Sequence, residues 1–444
     1  MNRPRLTGAA VTFAACLAPV VANASGTTSS YTSPVVAIPT APGATNVGYG
    51  TGGEPRLLVT RDGRIIVAAH MQQWDCVTGK PTPGKGHQCV WISSDGGRTF
   101  HFSGGEANQQ GDDVDLAQSG NVLLESTMTN ENLGTGALGT SVSRSIDGGK
   151  TWSETVDVDK TWANDRPFML LSPNGTLFLT YTNVPGGIFD IRSTDHGATW
   201  GLPQPIAPQA TTLAVVNGTP AVDTARHQLL VPYGVASSSL CHSGAAGCID
   251  TYYIARANYD GSGWTREPVI TFPPGTGAQS EVAAVADAAG TEYFVAGIAG
   301  GGSATTPVNR DAHVDLMIQP RGSATWTRTQ VDPAQGSAIV PNIVAGAAGR
   351  VVVAYYWSPY ADAQSKTRPW YVVVADSHDG GRTFTRTVVS RVAFMGSGRA
   401  HQFIVWDLFG LALDRQGRVN VAWTQVSKNT SAGPLTEIAF ARQR

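Results

Sequence analysis

The segment PFMLLSPNGTLFLTY (167–181), followed by STDHGATW (193–200), decides the fold of this chain. Two short apolar runs flank the pair Asn174-Gly175. An Asn-Gly pair between apolar runs is typical of a tight turn that joins two antiparallel strands. The segment therefore predicts two strands and a turn, with a second turn after them.

The same strand–turn–strand pattern recurs along the rest of the chain. The other copies are PRLLVTRDGRIIVAA (55–69), DVDLAQSGNVLLEST (113–127), PAVDTARHQLLVPY (220–233), EVAAVADAAGTEYFVAG (281–297), NIVAGAAGRVVVAYY (342–356) and FGLALDRQGRVNVAW (409–423). A glycine marks the turn in every copy except the fourth, where Arg226 and His227 stand in its place. From Gly63 to Gly417 the pattern advances 354 residues in six steps, or 59 residues a step. A fixed period predicts a repeat architecture, here with seven copies.

A second pattern, S-x-D-x-G-x-T-[WF], follows most copies. It reads SSDGGRTF (93–100), SIDGGKTW (145–152), STDHGATW (193–200) and SHDGGRTF (377–384), with degenerate forms NYDGSGW (258–264) and QPRGSATW (319–326). The aspartate accepts hydrogen bonds from its own turn, the glycine permits a positive φ, and the aromatic ring packs against the sheet. We therefore expect a structural role for the four aspartates, Asp95, Asp147, Asp195 and Asp379.

These turns resemble the Asp-boxes, or BNR repeats, of the sialidase-like β-propeller superfamily, although the chain is not a close match to a true sialidase. The resemblance implies an all-β fold, a seven-bladed β-propeller with four-stranded blades around a central channel. The seventh copy has only TEIAFARQR (436–444) as its third strand, so we expect SPVVAI (33–38) to add the fourth and close the ring. Residues 25–444 are predicted to form this single propeller domain.

The first 24 residues are predicted to be a signal peptide that does not belong to the fold. Arg3 and Arg5 precede an apolar stretch, and Ala22-Asn23-Ala24 is typical of a cleavage site. We therefore expect a secreted or periplasmic protein.

The cysteines agree with export. Apart from Cys16, four cysteines remain, and an even number in an exported protein favours disulfides. Of the three connectivities, Cys76–Cys89 with Cys241–Cys248 is favoured, because each pair closes a short local loop.

Composition excludes one class of partner. The chain has 444 residues, with 31 Lys and Arg against 33 Asp and Glu, a formal charge of −2. A protein that binds nucleic acid through bulk charge needs a strong basic excess. We expect a monomer that binds carbohydrate, and neither nucleic acid nor a membrane.

Polar residues stand where each inner strand begins, which is where a propeller forms its binding face. They are Glu54, Asp112 with Asp113, Asp165 with Arg166, Asn217, Glu281, Asn342 and Asp407. Clustered carboxylates raise one another's pKa and suit acid–base catalysis, or they bind a cation. We predict catalytic roles for Asp165, Arg166, Glu281 and Asp407, and substrate binding by Glu54, Asp112, Asp113 and Asn342. Hydrogen bonding between blades is the alternative, and a structural or channel-bound cation such as Ca²⁺ is the only cofactor suggested.

Long loops between the second and third strands are expected to wall one side of this face. They run over 70–88, 234–249, 299–311 and 358–369, and the first two carry the cysteine pairs. The aromatic residues near this face are Trp74, Trp357, Tyr360, Trp370 and Trp406. We predict that Trp74, Trp357 and Trp406 bind substrate, with core packing as the alternative.

Three activities stay open. A sialidase needs three arginines, a Tyr–Glu pair and an acidic Asp, for which the chain offers Arg56, Arg166, Arg399, Tyr356, Glu281 and Asp75. The spacing departs from that family, because Arg56 follows Pro55 and Arg166 directly precedes Pro167 instead of standing two residues before it. A lyase needs a base, and the candidates are His401, His70, and His313 with Arg310. We expect a secreted glycoside hydrolase or polysaccharide lyase acting at the central face; a non-enzymatic glycan- or protein-binding propeller and an exo-sialidase are the alternatives.

Overall fold

The structure is a computed structural model, and it describes the chain in seventeen ranges. These are 29–44, 52–71, 74–76, 78–81, 87–105, 113–132, 137–153, 156–159, 164–183, 187–208, 214–236, 249–272, 278–298, 312–361, 368–396, 408–431 and 433–444. Every regular element in these ranges is a β-strand. Within them, no helix long and apolar enough to cross a membrane occurs.

The first strand, β1 (Val35–Ile38), belongs to the last blade, and the next strands build blades 1 to 4. Blade 1 contains β2 (Gly53–Val59), β3 (Ile65–Met71), β6 (His87–Ser93) and β7 (His101–Gly105), with the short pair β4 (Trp74–Asp75) and β5 (Lys80–Pro81) in its β3–β6 loop. Blade 2 contains β8 (Val114–Ser119), β9 (Val122–Asn132), β10 (Ala137–Ser145) and β11 (Val156–Asp159). Blade 3 contains β12 (Asn164–Leu171), β13 (Leu177–Asn183), β14 (Gly187–Ser193) and β15 (Gln204–Pro208). Blade 4 contains β16 (Ala214–Asn217) and β17 (Ala221–Asp223), both paired with β18 (Gln228–Ala236), then β19 (Thr251–Asn258) and β20 (Thr265–Thr271).

The remaining strands build blades 5 to 7. Blade 5 contains β21 (Ala278–Ala286), β22 (Glu292–Ile298), β23 (His313–Gln319) and β24 (Thr327–Gln330). Blade 6 contains β25 (Ser337–Ala345), β26 (Val351–Ser358), β27 (Arg368–Ser377) and β28 (Thr385–Val388), with β29 (Phe394–Gly396) added to β27. Blade 7 contains β30 (Gly410–Leu413), β31 (Val419–Thr430), β32 (Gly433–Arg442) and β1. The protein is thus a seven-bladed β-propeller with four-stranded antiparallel blades, as predicted.

The predicted ring closure is confirmed. Strand β1 pairs with β32 in antiparallel register, with Val35 opposite Phe440. The pairing continues upstream of β1, where the Thr32 amide donates to the Arg442 carbonyl over 2.8 Å. The two chain ends therefore complete one blade together.

Strand direction gives the propeller two different ends. The innermost strand of each blade starts at one end, which we call the mouth, and because neighbouring strands are antiparallel the loop from the second to the third strand returns there. The turns from the third to the fourth strand lie at the opposite end, the far end. The β3–β6 loop with Cys76 is thus at the mouth, whereas the S-x-D-x-G-x-T turns are at the far end.

Each S-x-D-x-G-x-T turn is built around its aspartate. In the first, Asp95 Oδ1 accepts from Ser93 Oγ (2.8 Å) and from the Thr99 amide (3.0 Å), and Asp95 Oδ2 accepts from Thr99 Oγ1 (2.6 Å). The same three bonds recur around Asp147, Asp195 and Asp379. These contacts lie within each turn and hold it together, which agrees with the structural role predicted for the four aspartates. The repeat turn that lacks glycine also has a positive φ, of 58° at His227.

Arginines on third strands tie neighbouring blades together at the far end. Arg144 Nε donates to the His196 carbonyl (3.1 Å), so blade 2 is bonded to a turn of blade 3. Arg192 of blade 3 donates in turn to the Gly261 carbonyl of blade 4 over 2.9 Å. These bonds cross the blade boundaries and supplement the apolar packing between sheets.

Most of the core lies between blades, since both faces of each sheet pack on a neighbour. Between blades 6 and 7 the packed side chains include Tyr356, Trp370, Phe409 and Trp423, each at most 1 % exposed. Aromatic groups bury much apolar area and dominate such packing. Trp370 is therefore a core residue.

We expect acid to weaken the far-end turns. Hydrogen bonds from Thr99 and Ser93 lower the pKa of Asp95 well below its usual value, and at Asp379 burial raises the pKa but bonds from Thr383 outweigh it and lower it to about 2. A carboxylate whose pKa is depressed on folding contributes stability above its unfolded pKa of about 3.9, and that contribution is lost as the pH falls through the folded value. The melting temperature should therefore drop between about pH 4 and pH 2.

The variant Asp379→Asn isolates one turn. It should melt below the wild type at neutral pH, because it loses the charged acceptor of Thr383. That difference in melting temperature should shrink between pH 4 and pH 2. A difference that stays constant down to pH 2 would contradict this account of the turn.

Candidate active site

The inner strands of blades 1, 3 and 6 begin with the same unusual backbone. Glu54, Arg166 and Val340 have φ values of 57°, 54° and 54°, and a proline follows each of them. The pairing with the second strand shifts register at these points, so each is a β-bulge. Proline cannot donate to the strand ladder, which favours a bulge, and bulges redirect side chains at barrel rims and active sites.

Neighbouring blades hold the bulge of blade 3 in place. The Arg166 amide donates to Asp113 Oδ2 (3.1 Å), and the Arg166 carbonyl accepts from Asn217 Nδ2 (2.9 Å). The Pro167 carbonyl accepts from Ser126 Oγ over 2.5 Å. A left-handed non-glycine residue costs about 1–3 kcal/mol and persists only where its surroundings enforce it. Blades 2 and 4 supply that enforcement.

The described inner strands line a small recess at the hub of the mouth, with about 10 Å³ of room, enough for about one water molecule. Its lining residues are Arg56, Arg166, Phe168, Thr219, Val282, Ala283, Pro341, Asn342, Leu408 and Phe409. The polar groups come mostly from blades 1, 3 and 4, whereas blades 5 and 7 contribute apolar side chains. The recess is therefore amphipathic, with a charged half and an apolar half.

Arg56 crosses the hub. Its Nε donates to Asp115 Oδ1 of blade 2 (2.8 Å), and its Nη1 donates to Thr219 Oγ1 of blade 4 (3.1 Å). The guanidinium also lies over the Phe168 ring of blade 3, 4.7 Å from its centroid. The side chains of Arg56 and Asp115 are only 8 % and 7 % exposed. The buried Arg56 side chain thus connects blade 1 with blades 2, 3 and 4.

Several of the predicted mouth residues bond to neighbouring blades. Asn342 Nδ2 donates to the Phe409 carbonyl (2.7 Å), which ties blade 6 to blade 7. Asp113 and Asn217 hold the Arg166 bulge as described above. These contacts agree with the alternative prediction, that polar residues at the hub hold neighbouring blades together. Asn342 does so for blades 6 and 7.

A second buried polar group lies between blades 1 and 2. His70 and Gln88 are opposite each other on β3 and β6, and alternation places them on the face of Ile66, Ala68 and Val90, which packs on blade 2. By the same alternation Glu125 of β9 shares the face of Leu123, which packs on blade 1. His70, Gln88 and Glu125 are 6 %, 0 % and 1 % exposed.

Sequence reasoning missed Asp115, Thr219, Gln88 and Glu125. A signal existed for the two acids, because Asp115 stands between Val114 and Leu116 and Glu125 directly follows the apolar run 122–124. A charged residue in a buried strand needs a partner. The identity of the partner depends on which residues of two blades come together, and the sequence does not contain that information directly.

Of the residues proposed for a sialidase, Arg56 and Arg166 both line the hub recess, and the side chains of Glu281 and Arg399 lie outside the described residues. Nε and Nη1 of Arg56 already donate to Asp115 and Thr219, so these two atoms do not form a bidentate contact with a substrate carboxylate. Asp75 Oδ1 accepts from the Thr78 amide (2.9 Å) within its own loop. These contacts do not support the roles predicted for the two residues.

Tyr356 is buried away from the hub. Its hydroxyl donates to the Thr424 carbonyl (2.9 Å) and accepts from the Thr424 amide (3.0 Å), and its ring packs on Phe409 with centroids 4.5 Å apart. Burial raises the pKa of this hydroxyl far above its usual value. A second-strand residue faces the neighbouring blade, which is why Tyr356 lies in the core and not in the recess.

The predicted aromatic and histidine residues have separate places. Trp74 is half-buried and donates from Nε1 to the Pro39 carbonyl over 2.9 Å. Trp357 is 6 % exposed and packs near Tyr371, so it is a core residue. His313 Nδ1 lies 3.1 Å from Asp332 Oδ2, at the mouth end of blade 5.

Part of the predicted site lies outside the described residues. Asp112, Arg310, Arg399, His401, Trp406, Asp407, Cys241 and Cys248 belong to this group, and for Glu281 the backbone in β21 is described but not the side chain. Their predicted roles stay predictions. Asp165 is described, and it is half-buried next to Arg166.

The predicted disulfide Cys76–Cys89 is present, with 5.0 Å between its Cα atoms. It joins the β3–β6 loop to the start of β6, and both cysteines are buried in the packing between blades 7 and 1. The loop beside the mouth is therefore fixed to the blade that carries Glu54 and Arg56.

Solved structures to which this fold is similar include carbohydrate-active enzymes. An ulvan lyase of polysaccharide lyase family PL25 superposes with a TM-score of 0.56 and 11 % identity, over 88 % of this chain and 94 % of the lyase. An α-L-arabinofuranosidase from Fusarium graminearum gives 0.51 and 12 %, over 92 % and 97 % of the two chains. NanB sialidase from Streptococcus pneumoniae gives 0.47 and 9 %, over 73 % and 67 %. No protein-family model and no curated protein sequence matches the chain. At these identities the likeness shows the fold.

Removing the disulfide should destabilise the protein. The sequence separation of the two cysteines is 13, and closing a loop of that size is worth about 3 kcal/mol. The double variant Cys76→Ser/Cys89→Ser should melt several degrees lower under non-reducing conditions, measured by circular dichroism. An unchanged melting temperature would mean that the loop is held by its packing alone.

Removing one partner of the hub ion pair should be costlier than removing both. Arg56→Met leaves Asp115 buried with its charge uncompensated, which should lower the free energy of unfolding by about 3–5 kcal/mol. Arg56→Met/Asp115→Asn removes both charges and should recover most of that loss. Chemical denaturation of the single and double variants measures the difference, and equal losses would contradict a direct coupling.

Proposed function

We propose that this protein is a secreted carbohydrate-active enzyme that cleaves glycosidic bonds at the mouth of the propeller. The observation that carries the proposal is the amphipathic recess at the hub. A sugar ring presents apolar C–H faces and polar hydroxyl edges, and binding sites for such ligands combine apolar walls with a few placed polar groups. The hub recess has both kinds of lining at the floor of the mouth, where the inner strands begin and a sugar could rest.

Two acids lie close in the chain to the recess-lining arginines Arg56 and Arg166, and acids of this kind suit cleavage of a glycosidic bond. Glu54 is 3 % exposed on the bulge of blade 1, and Asp165 precedes the bulge of blade 3. In hydrolysis, one carboxylic acid protonates the leaving glycosidic oxygen while the C–O bond breaks, and a second carboxylate activates water or forms the new bond to the sugar. We assign these two roles to Glu54 and Asp165 as a pair.

Elimination is the second reaction that the mouth could perform. It requires a base to remove the proton next to a uronate carboxyl group and a cation to stabilise the charge that develops there. His70 is buried at the end of β3, close in sequence to the mouth loop, and Arg166 lines the recess. Elimination stays a candidate because the fold is similar to that of an ulvan lyase, and hydrolysis stays one because the fold is similar to that of an arabinofuranosidase.

Secretion is part of the proposal. The Cys76–Cys89 disulfide suits an oxidising compartment, and the sequence before Ser25 has the pattern of a signal peptide.

A substrate panel tests the proposal. The purified protein is incubated with sialosides, uronic-acid polysaccharides and neutral glycans that include arabinan. New reducing ends indicate hydrolysis, and ultraviolet absorbance of an unsaturated product indicates elimination. We expect turnover of one class; binding without turnover in any class would instead identify a glycan-binding propeller.

Conservative variants test the residues. Glu54→Gln and Asp165→Asn keep the shape of each side chain but remove its acid–base chemistry, which is worth about 10²–10⁴ in rate. Each should reduce turnover at least about 100-fold and shift the melting temperature by no more than a few degrees.

The matched control is Asp260→Asn. Asp260 is an exposed carboxylate in the β19–β20 turn at the far end. Its conversion to the amide should leave turnover unchanged. Full activity of both mouth variants would refute the assignment.

A further inference from the structure

The far end of the propeller is a face made of short turns. Each blade places two turns there, one between its first and second strands and one between its third and fourth strands. Apart from residues 154–155, these turns belong to the described ranges. Because the seven blades repeat one architecture around one axis, their turns end at a similar height and form a broad surface.

Exposed cations are spread over this face. Six Lys and Arg side chains of the turns are exposed, and they come from five consecutive blades of the ring, in the order 5, 6, 7, 1 and 2: Arg321, Arg382, Arg415, Arg61, Arg98 and Lys150. We call these six residues the cation arc. None of them has an ion pair among the described contacts, and Arg98 and Arg382 donate only to carbonyl oxygens of their own turns.

Few exposed acids oppose the cation arc. On the turns of the same five blades, the exposed carboxylates among the described residues are Asp62 and Asp147. Asp62 is paired with Arg64 over 2.8 Å, and Asp147, like the half-buried aspartates of the other S-x-D-x-G-x-T turns, accepts hydrogen bonds from its own turn. The whole chain has a formal charge of −2, so the cation arc is a local excess of positive charge.

The fold does not need the cation arc, because other arginines hold the far end together. Arg350 pairs with Asp376 over 3.1 Å and donates to a carbonyl oxygen of blade 7, and Arg418 pairs with Asp414 over 2.8 Å. These paired arginines are half-buried, whereas the side chains of the cation arc are exposed. The charges of the arc are therefore available to an external partner.

Two aliphatic side chains project from the same end. Ile146, in the far-end turn of blade 2, is 74 % exposed, and Leu202, which precedes β15 in blade 3, is 80 % exposed. The other large apolar side chains of the described residues are at most 44 % exposed. Aliphatic side chains beside cations are typical of surfaces that lie on lipid, because the apolar groups enter the boundary between headgroups and acyl chains.

We propose that the far end docks on a membrane surface that contains anionic lipid. The cation arc supplies the attraction to the headgroups, and Ile146 and Leu202 supply apolar contact. Cations that extend over five blades of a broad face suit a flat surface, whereas a single acidic polymer chain would need them along one line. Docking in this way turns the mouth away from the membrane. This departs from the expectation of no membrane partner, which was based on properties of the whole chain.

Sedimentation with vesicles tests the proposal. The purified protein is mixed with vesicles of phosphatidylcholine that contain about 30 % phosphatidylglycerol, and with pure phosphatidylcholine as the neutral surface. We expect binding to the anionic vesicles at about 0.1 M salt. Binding should be at least about tenfold weaker at about 1 M, because the Debye length falls from about 10 Å to about 3 Å. Absence of binding to the anionic vesicles would overturn the proposal.

Charge variants locate the binding face. Arg98→Gln/Arg382→Gln removes two members of the cation arc and should weaken vesicle binding at least about tenfold. The matched control is Arg391→Gln/Lys428→Gln, which removes two exposed cations at the mouth end and changes the net charge by the same amount. The control should bind as the wild type does. Equal losses in the two variants would show attraction by overall charge and contradict docking through the far end.

Apolar variants and a soluble polyanion complete the test. Ile146→Ser/Leu202→Ser should weaken vesicle binding, whereas Val392→Ser/Met395→Ser, which changes exposed apolar side chains at the mouth end, should not. Unchanged binding of the first variant would contradict apolar insertion. Binding of polygalacturonate by the cation arc without binding of vesicles would overturn the lipid proposal and assign the face to an acidic polysaccharide. None of these measurements depends on turnover, so they are independent of the function proposed above.

Discussion

A four-stranded blade cannot bury both of its faces alone, and the structure follows from that constraint. Each sheet packs its two faces on two neighbours, so the first and last blades must also meet. Pairing of β1 with β32 completes the last blade, and the packing of Phe440 and Ile438 against Ile65 and Val67 joins that blade to blade 1. The ring is thus closed by hydrogen bonds along one strand pair and by apolar contact across one boundary.

Closure also determines where chemistry can take place. Second and third strands face neighbouring blades, so their side chains are used for packing, as Tyr356 and Trp357 are. Among the described residues, those at and near the beginnings of the inner strands line the central recess. Residues at those positions have two roles, to connect neighbouring blades and to line the recess. Asn342 and Asp113 connect blades, while Arg166 lines the recess and Glu54 and Asp165 lie at the beginnings of the same inner strands as Arg56 and Arg166.

The sequence was most informative where structure is local. Turn glycines and the S-x-D-x-G-x-T pattern predicted the strands, the number of blades and the closing strand, because each depends on a few adjacent residues. The Cys76–Cys89 pair was predictable for the same reason. Contacts across the hub were not, since Arg56, Asp115 and Thr219 come from three blades and meet only through the register of their inner strands. Tyr356 was misplaced because both faces of a second strand pack on neighbouring blades, so a side chain there is buried however near it lies to the mouth.

Val340 shows that the backbone conformation of the bulge does not depend on a polar side chain. It has the same φ as Arg166 and the same following proline, yet it is an apolar, β-branched residue for which a positive φ is rare. The conformation is therefore a property of how an inner strand enters the hub, available to whichever residue stands before the proline. Blade 6 consequently uses the same main-chain conformation to bury an apolar side chain in the packing against blade 7, so this bulge serves the cohesion of the ring.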